Sequence, residues 1–362
     1  MTARLLFLDG VNTYRLTEGE LLTRAQDFGV PLVIGVSHAY PPSTLLLFFP
    51  FTWLPYEPSR VVWVLLAELG LILAMGVPLW LARARHPWWY AFVPFLVLQF
   101  FPSQAALFTG QPLTMMVGLY VLGLVALQRQ RPLLGGCLLG LGNVFKPQFH
   151  LIWLYLLYRR QWGACAAGLG VAAAIEGLAF LRVGAPTYVA WRGQAHGQSF
   201  DTGSEFYNYS LLPLLARIFS IPEVHPALLG VLAVLILLAG LLAWRVLRYA
   251  RLAFPEELPY GVSLMLIGTL LVFPAVTDHH LVLLLIPLLL TWAHLPTHSS
   301  SSSIIMFLLC FLVLGVRHAL TRFELFATGP LAVLTGDKTV GIILLVVLVI
   351  RQLRDRTHPN TL

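Results

Sequence analysis

The stretch "PAVTDHHLVLLLIPLLL" sets Asp278, His279 and His280 between two apolar runs. A carboxylate followed by two imidazoles can face an anion, cap a helix or, with a further ligand, hold a metal ion, although no third ligand is obvious here. Other polar groups interrupt apolar sequence in a similar way. They are Asp9 in "LDGVNTY", Tyr40 in "AYPPSTLL", Gln111 in "LFTGQPLTMM", Lys146 in "VFKPQF", and Asn208 with Arg217 in "FYNYSLLPLLARIF". A plainer reading stands beside each. Lys146 can snorkel from a helix end, Gln111 and Asn208 can cap or pack helices, the Tyr-Pro-Pro run can simply turn the chain, and Asp9 lies near a terminus, where acids are usually solvated.

The elements that must position these groups belong to a membrane. Of 362 residues 58% are hydrophobic and 11% charged, against about 25% charged in an ordinary soluble domain. No polar block is large enough to fold by itself, so the chain reads as one membrane domain over residues 1–362. The net charge of +7 falls in short basic clusters rather than on one face, which argues against a nucleic-acid partner. Cys137, Cys165 and Cys310 stand alone in apolar runs and imply neither a disulfide framework nor a zinc site.

Hydropathy gives about eleven candidate spans, at residues 60–81, 88–108, 112–127, 133–145, 149–158, 163–181, 226–247, 260–277, 281–295, 303–320 and 340–350. Residues 1–59 read as an outward-facing loop region, 60–353 as the bundle and 354–362 as a cytoplasmic tail. Every second connection is basic (Arg83 with Arg85, Arg129 with Arg131, Arg159 with Arg160, then Arg245, Arg248 and Arg251, and lastly Arg351, Arg354 and Arg356) and is expected in the cytoplasm. The polar groups above, with Glu205, Glu223 and Asp337, then share the outer side. The segments 133–145 and 149–158 are short and meet at Pro147, the pattern of broken helices that line a cavity. Gly136 and Gly140 have the spacing of close helix packing. No Gly-rich nucleotide cradle follows a strand anywhere in the chain.

These motifs, in this order and on one side of the membrane, resemble the bacterial GT-C glycosyltransferases of family 87, which use polyprenyl-phosphate-mannose. The resemblance runs from Asp9 to about Leu290. It implies an all-α polytopic membrane protein with a GT-C-like bundle, lying in the cell membrane with its active site outward. It implies a hexose, mannose above all, moved from a polyprenyl-phosphate donor to a glycolipid or glycan acceptor, with membrane lipids around it and no cofactor or metal. By the same resemblance Asp9 corresponds to the catalytic base, and Lys146, His279, His280 and Arg217 to the groups on the donor phosphate. Tyr40, Gln111, Asn208 and Asp278 correspond to the lining of the sugar and acceptor pocket. The chemistry is coherent with the residues, since a departing lipid phosphate needs cations and an attacking hydroxyl needs a carboxylate. Only Met1 to Leu8 precede Asp9, about a third of a span, so a truncated first helix is expected, and Asp27 is the rival base. A transporter or flippase of a lipid-linked or small polar substrate, or a non-catalytic relative that binds lipid-linked sugar, is the alternative reading.

Overall fold

The computed structural model describes residues 1–30, 40–82, 87–146, 150–201, 208–221, 225–250, 252–273, 275–298, 301–317, 324–326 and 328–357. Pro147, Arg83, Arg85, Arg251, Glu205 and Glu223 lie outside the described residues. Within them every regular element is helical. The helices are α1 Thr2–Phe7, α2 Glu18–Asp27, α3 Pro42–Leu47, α4 Tyr56–Ala82, α5 Pro87–Gln99, α6 Phe101–Phe108, α7 Leu113–Gln128, α8 Pro132–Phe145 and α9 Leu151–Tyr158. They continue as α10 Trp162–Val183, α11 Ala185–Asp201, α12 Leu211–Phe219, α13 Pro226–Ala250, α14 Phe254–Val272, α15 Leu285–His298, α16 Ser301–Gly315 and α17 Asp337–Thr357. Short 3-10 turns join them, the most important at Asp278–Leu284.

The span count differs from the hydropathy reading. Among the described residues five segments are long and apolar enough to cross a membrane, or six if one bent pair counts as a span. Where one straight crossing is expected at 88–108, that pair is bent: Ala91–Gln99 and Phe101–Phe108 meet at 63°. Pro102, at the first turn of α6, has no N–H to offer and suits the start of a new helix rather than the continuation of α5. The segments α7, α8 and α16 are apolar but only 10–17 residues long.

The N-terminal region is not the loop expected for residues 1–59. It carries α1, α2, α3 and the first residues of α4. The polar α2 is started by a capping box, in which Glu20 accepts the Thr17 N–H at 2.7 Å and Thr17 accepts the Glu20 N–H at 3.3 Å. The expected tail at 354–362 is likewise helical as far as Thr357.

Packing follows residue size. A Cβ on Gly136 or Gly140 would collide with the backbone of Ala164 or Gly168, so α8 and α10 touch through the spacing read from the sequence. The core is built around Leu281–Leu290, whose leucines are almost wholly enclosed, chiefly by α6 and α4 and further by α7, α14 and α17. Of the apolar window at Asp278–Leu295, 89% is buried, whereas only 6% of the window at Pro226–Arg248 is. The first segment is a protein core and the second has its surface free for lipid.

Candidate active site

The histidine segment and the end of α8 meet here. Helix α8 stops at Phe145, and Lys146 turns to extended backbone, which takes its side chain off the helix axis. The open carbonyl end of α8 is held by α3, where Thr44 Oγ1 donates to the Val144 carbonyl at 2.6 Å. Tyr40, just before α3, is tied on both sides. Its carbonyl accepts from the Tyr14 hydroxyl at 2.7 Å, and its own hydroxyl donates to Gln111 Oε1. The Lys146 ammonium lies 4.8 Å from the centre of the Tyr40 ring, a cation–π distance.

Lys146 Nζ is also 3.0 Å from His280 Nε2. The tautomer decides what this contact means. The Thr277 N–H donates to His280 Nδ1 at 3.1 Å, so Nδ1 is bare and the ring proton sits on Nε2. An N–H donor therefore points at a lysine nitrogen. The pair is satisfied when Lys146 is a neutral amine, or when an anionic oxygen enters and takes a hydrogen bond from each. Burial lowers the Lys146 ammonium to about 8, which makes the neutral amine accessible. His279 stacks against His280 with ring centres 4.2 Å apart, and Thr277 Oγ1 lies 3.0 Å from Nδ1 of each. The helix-capping role of these histidines is thus present as well: His280 accepts at the start of the 3-10 turn while its other nitrogen faces Lys146.

The neighbouring part is a lock between three segments. Asn208 Oδ1 accepts from Val276 N at 3.0 Å, Ser210 N at 3.3 Å and Ser210 Oγ at 3.1 Å, and Tyr209 N donates to the Val276 carbonyl at 2.7 Å. Asp278 takes the Tyr209 hydroxyl on Oδ2 at 3.3 Å and the Lys338 ammonium on Oδ1. Thr339 Oγ1 closes the lock by donating to the Tyr209 carbonyl at 2.7 Å.

The structure thus joins Tyr40, Gln111, Lys146, His279 and His280 by direct contacts, and connects Asn208 and Asp278 to them through one continuous turn. Asp9 is exposed just past the end of α1. Its helix packs through Leu6 and Phe7 on the layer that holds Tyr14 and Leu45, and Arg182 binds the Phe7 carbonyl at 2.7 Å. Tyr14 of that layer donates to the Tyr40 carbonyl, but among the described residues no hydrogen bond joins Asp9 to Lys146 or either histidine. Asp27, also exposed, ends α2. Arg217 is buried two turns along α12 from Asn208, with its carbonyl accepting the Gly329 N–H at 2.8 Å, and the Lys146–His280 pair is built without it. Sequence reading missed Tyr209, Thr277, Lys338 and Thr339. Only Lys338 left a signal, an ammonium at the head of an apolar span.

Among the described residues the chain is helical throughout, with helices long and apolar enough to cross a membrane and a lysine–imidazole cluster at the ends of short ones, which together define a helical membrane protein. The sequence model of Glycosyltransferase family 87 matches residues 38–274, more than half of the chain. The chain belongs to this family, and membership implies a membrane glycosyltransferase. No curated protein and no solved structure matched it. The matched region contains Tyr40, Gln111, Lys146, Asn208 and Arg217, while Asp9, the histidine pair and Lys338 lie beyond it.

Proposed function

We propose that this protein moves a hexose, mannose by the family resemblance, from a polyprenyl-phosphate donor to a glycolipid or glycan acceptor at the outer face of the cell membrane. The observation that carries the reading is the pair of nitrogen donors, Lys146 Nζ and His280 Nε2, that converge at 3.0 Å without an acceptor between them. A phosphate oxygen satisfies both, and in a partly desolvated site such charge-assisted bonds are stronger than in water. His279 lies beside them, and Tyr40 with Gln111 lines the approach.

In the transfer, the acceptor oxygen bonds the anomeric carbon as the bond from that carbon to the phosphate oxygen breaks. Asp9 takes the acceptor's proton. Polyprenyl phosphate leaves with its charge held by Lys146 and His280. Asp9 suits the part of base because it is open to an incoming acceptor, at the end of a helix packed in the same layer as Tyr14, whose hydroxyl binds the Tyr40 carbonyl.

The test is incubation of the purified protein in lipid with radiolabelled polyprenyl-phosphate-mannose and a mannoside acceptor. Label in the acceptor, with loss of the sugar lipid, is the expected result. Movement of intact sugar lipid across the bilayer, or binding without cleavage, would overturn the reading.

A further inference from the structure

Lys338 is fully buried at the head of α17, in a segment the family match does not reach. Its ammonium pairs with Asp278 Oδ1 and lies 5.0 Å from the Tyr209 ring centre and 5.5 Å from that of Phe101. The two ends of this ion pair differ. The Lys338 side chain has no exposed surface, while 20% of the Asp278 side chain remains open. A buried ion pair is weak as a stabiliser, since apolar groups of the same volume often do as well, and its better use is to fix one geometry.

What it fixes is the backbone immediately before the histidines. Asp278 begins the 3-10 turn that carries His279 and His280, and it is held from two directions, by Lys338 on one oxygen and Tyr209 on the other. Thr339, the next residue of α17, holds the Tyr209 carbonyl at 2.7 Å. The first turn of α17 thus grips both of the other segments of the lock, at Tyr209 and at Asp278.

We propose that Lys338 is a positioning residue which, by holding the Asp278 carboxylate, sets the turn that aims His280 at Lys146. The proposal concerns the same site as the transferase reading, and only its ligand-binding readout rests on that reading.

The test has two readouts. The first is the rate at which diethyl pyrocarbonate modifies the peptide holding His279 and His280, read by mass spectrometry, with the buried His294 as internal control. The second is the affinity of polyprenyl phosphate for protein in lipid nanodiscs. Lys338→Met should raise the reactivity of the His279–His280 peptide several-fold while His294 stays at the parent rate. It should also weaken the probe about 10-fold, within the usual range for coupled neighbours. Because Lys338 acts through Asp278, the Lys338→Met/Asp278→Asn double variant should be about as defective as Lys338→Met alone in both readouts, rather than showing two separate losses that add.

Parent-like reactivity and binding in a folded Lys338→Met protein would overturn the proposal. So would a double variant whose losses are the sum of those of Lys338→Met and Asp278→Asn, because Lys338 would then be acting independently of Asp278. If Lys338→Met does not fold, Asp278→Ala cuts the same link from its open end, and unchanged histidine reactivity there overturns it equally. A parent that binds no polyprenyl phosphate, but whose histidine reactivity still responds to Lys338→Met, removes the donor reading and leaves the positioning role standing.

Discussion

Two lysines flank the histidine turn, and they are used in opposite ways. Lys338 is sealed from solvent and balanced by the Asp278 carboxylate, with aromatic rings about it. Lys146 keeps part of its surface open, and among the described residues no carboxylate pairs with it. Its neighbours are an aromatic ring and an imidazole N–H. A charge that is already balanced belongs to the scaffold, whereas one that faces another donor is the one we propose meets the donor phosphate. Composition treats the two residues as equals, and only their partners separate them.

The largest expected effect comes from neither lysine. If the Lys146 centre holds the donor and the Lys338 centre holds the turn, neither removes the proton, a part we propose for Asp9. Asp9→Asn should lower transfer by about 10²- to 10⁴-fold, the usual worth of a general base. Polyprenyl phosphate affinity should stay within a few-fold. Asp27→Asn should keep most of its activity. A dead Asp27 variant beside an active Asp9 variant would move the base to the end of α2.

Lys146→Met sharpens the contrast most directly. Losing a charge-assisted contact to phosphate should weaken polyprenyl phosphate by about 10- to 100-fold, with no matching gain in the reactivity of the histidine peptide. The reverse pattern, exposed histidines and intact affinity, would exchange the two roles.

The pH dependence tests the same centre at smaller amplitude. Lys146 is lowered to about 8 by burial, so it carries its charge below that pH and loses it above. Phosphate binding that uses the ammonium should be strong below about 8 and should weaken by up to about 10-fold per pH unit above it. Lys146→Arg should bind without that decline, because a guanidinium stays charged. Affinity that is flat from pH 6 to 9 in the parent would detach Lys146 from the ligand.

The smallest expected effect concerns the lock. Asn208→Ala removes an acceptor for three donors and should cost about 1–3 kcal/mol of stability, read as a lower thermal midpoint. Any loss of affinity should be modest. An Asn208 variant of parent stability but abolished binding would instead place this side chain against the ligand.

How far could the sequence alone have led here? Composition was enough for an all-helical membrane chain, and the spacing of Gly136 and Gly140 was enough for the contact of α8 with α10. Lys146 and His280 were legible because each stands at a break in apolar sequence, where a polar side chain needs a reason. Lys338 was not, since an ammonium at the head of a last span looks like an ordinary interface residue until Asp278 is seen beside it. The bend at Phe100 was hidden because α5 and α6 are both apolar, and hydropathy carries no information on direction. The helices before residue 56 were missed for the opposite reason. They are short or polar, and α2 is recognisable only by its Thr17–Glu20 cap.

The contrast between the enclosed segment at Asp278–Leu295 and the bare one at Pro226–Arg248 has a practical side. When the protein is extracted, the detergent belt will wrap α13 and the outer surface of α4 but will not reach the wall of protein that surrounds the histidine turn. Changing the surfactant therefore alters the molecule's rim and its apparent size in solution before it touches the site. Ligand affinities measured in different micelles should agree with one another better than the thermal midpoints do.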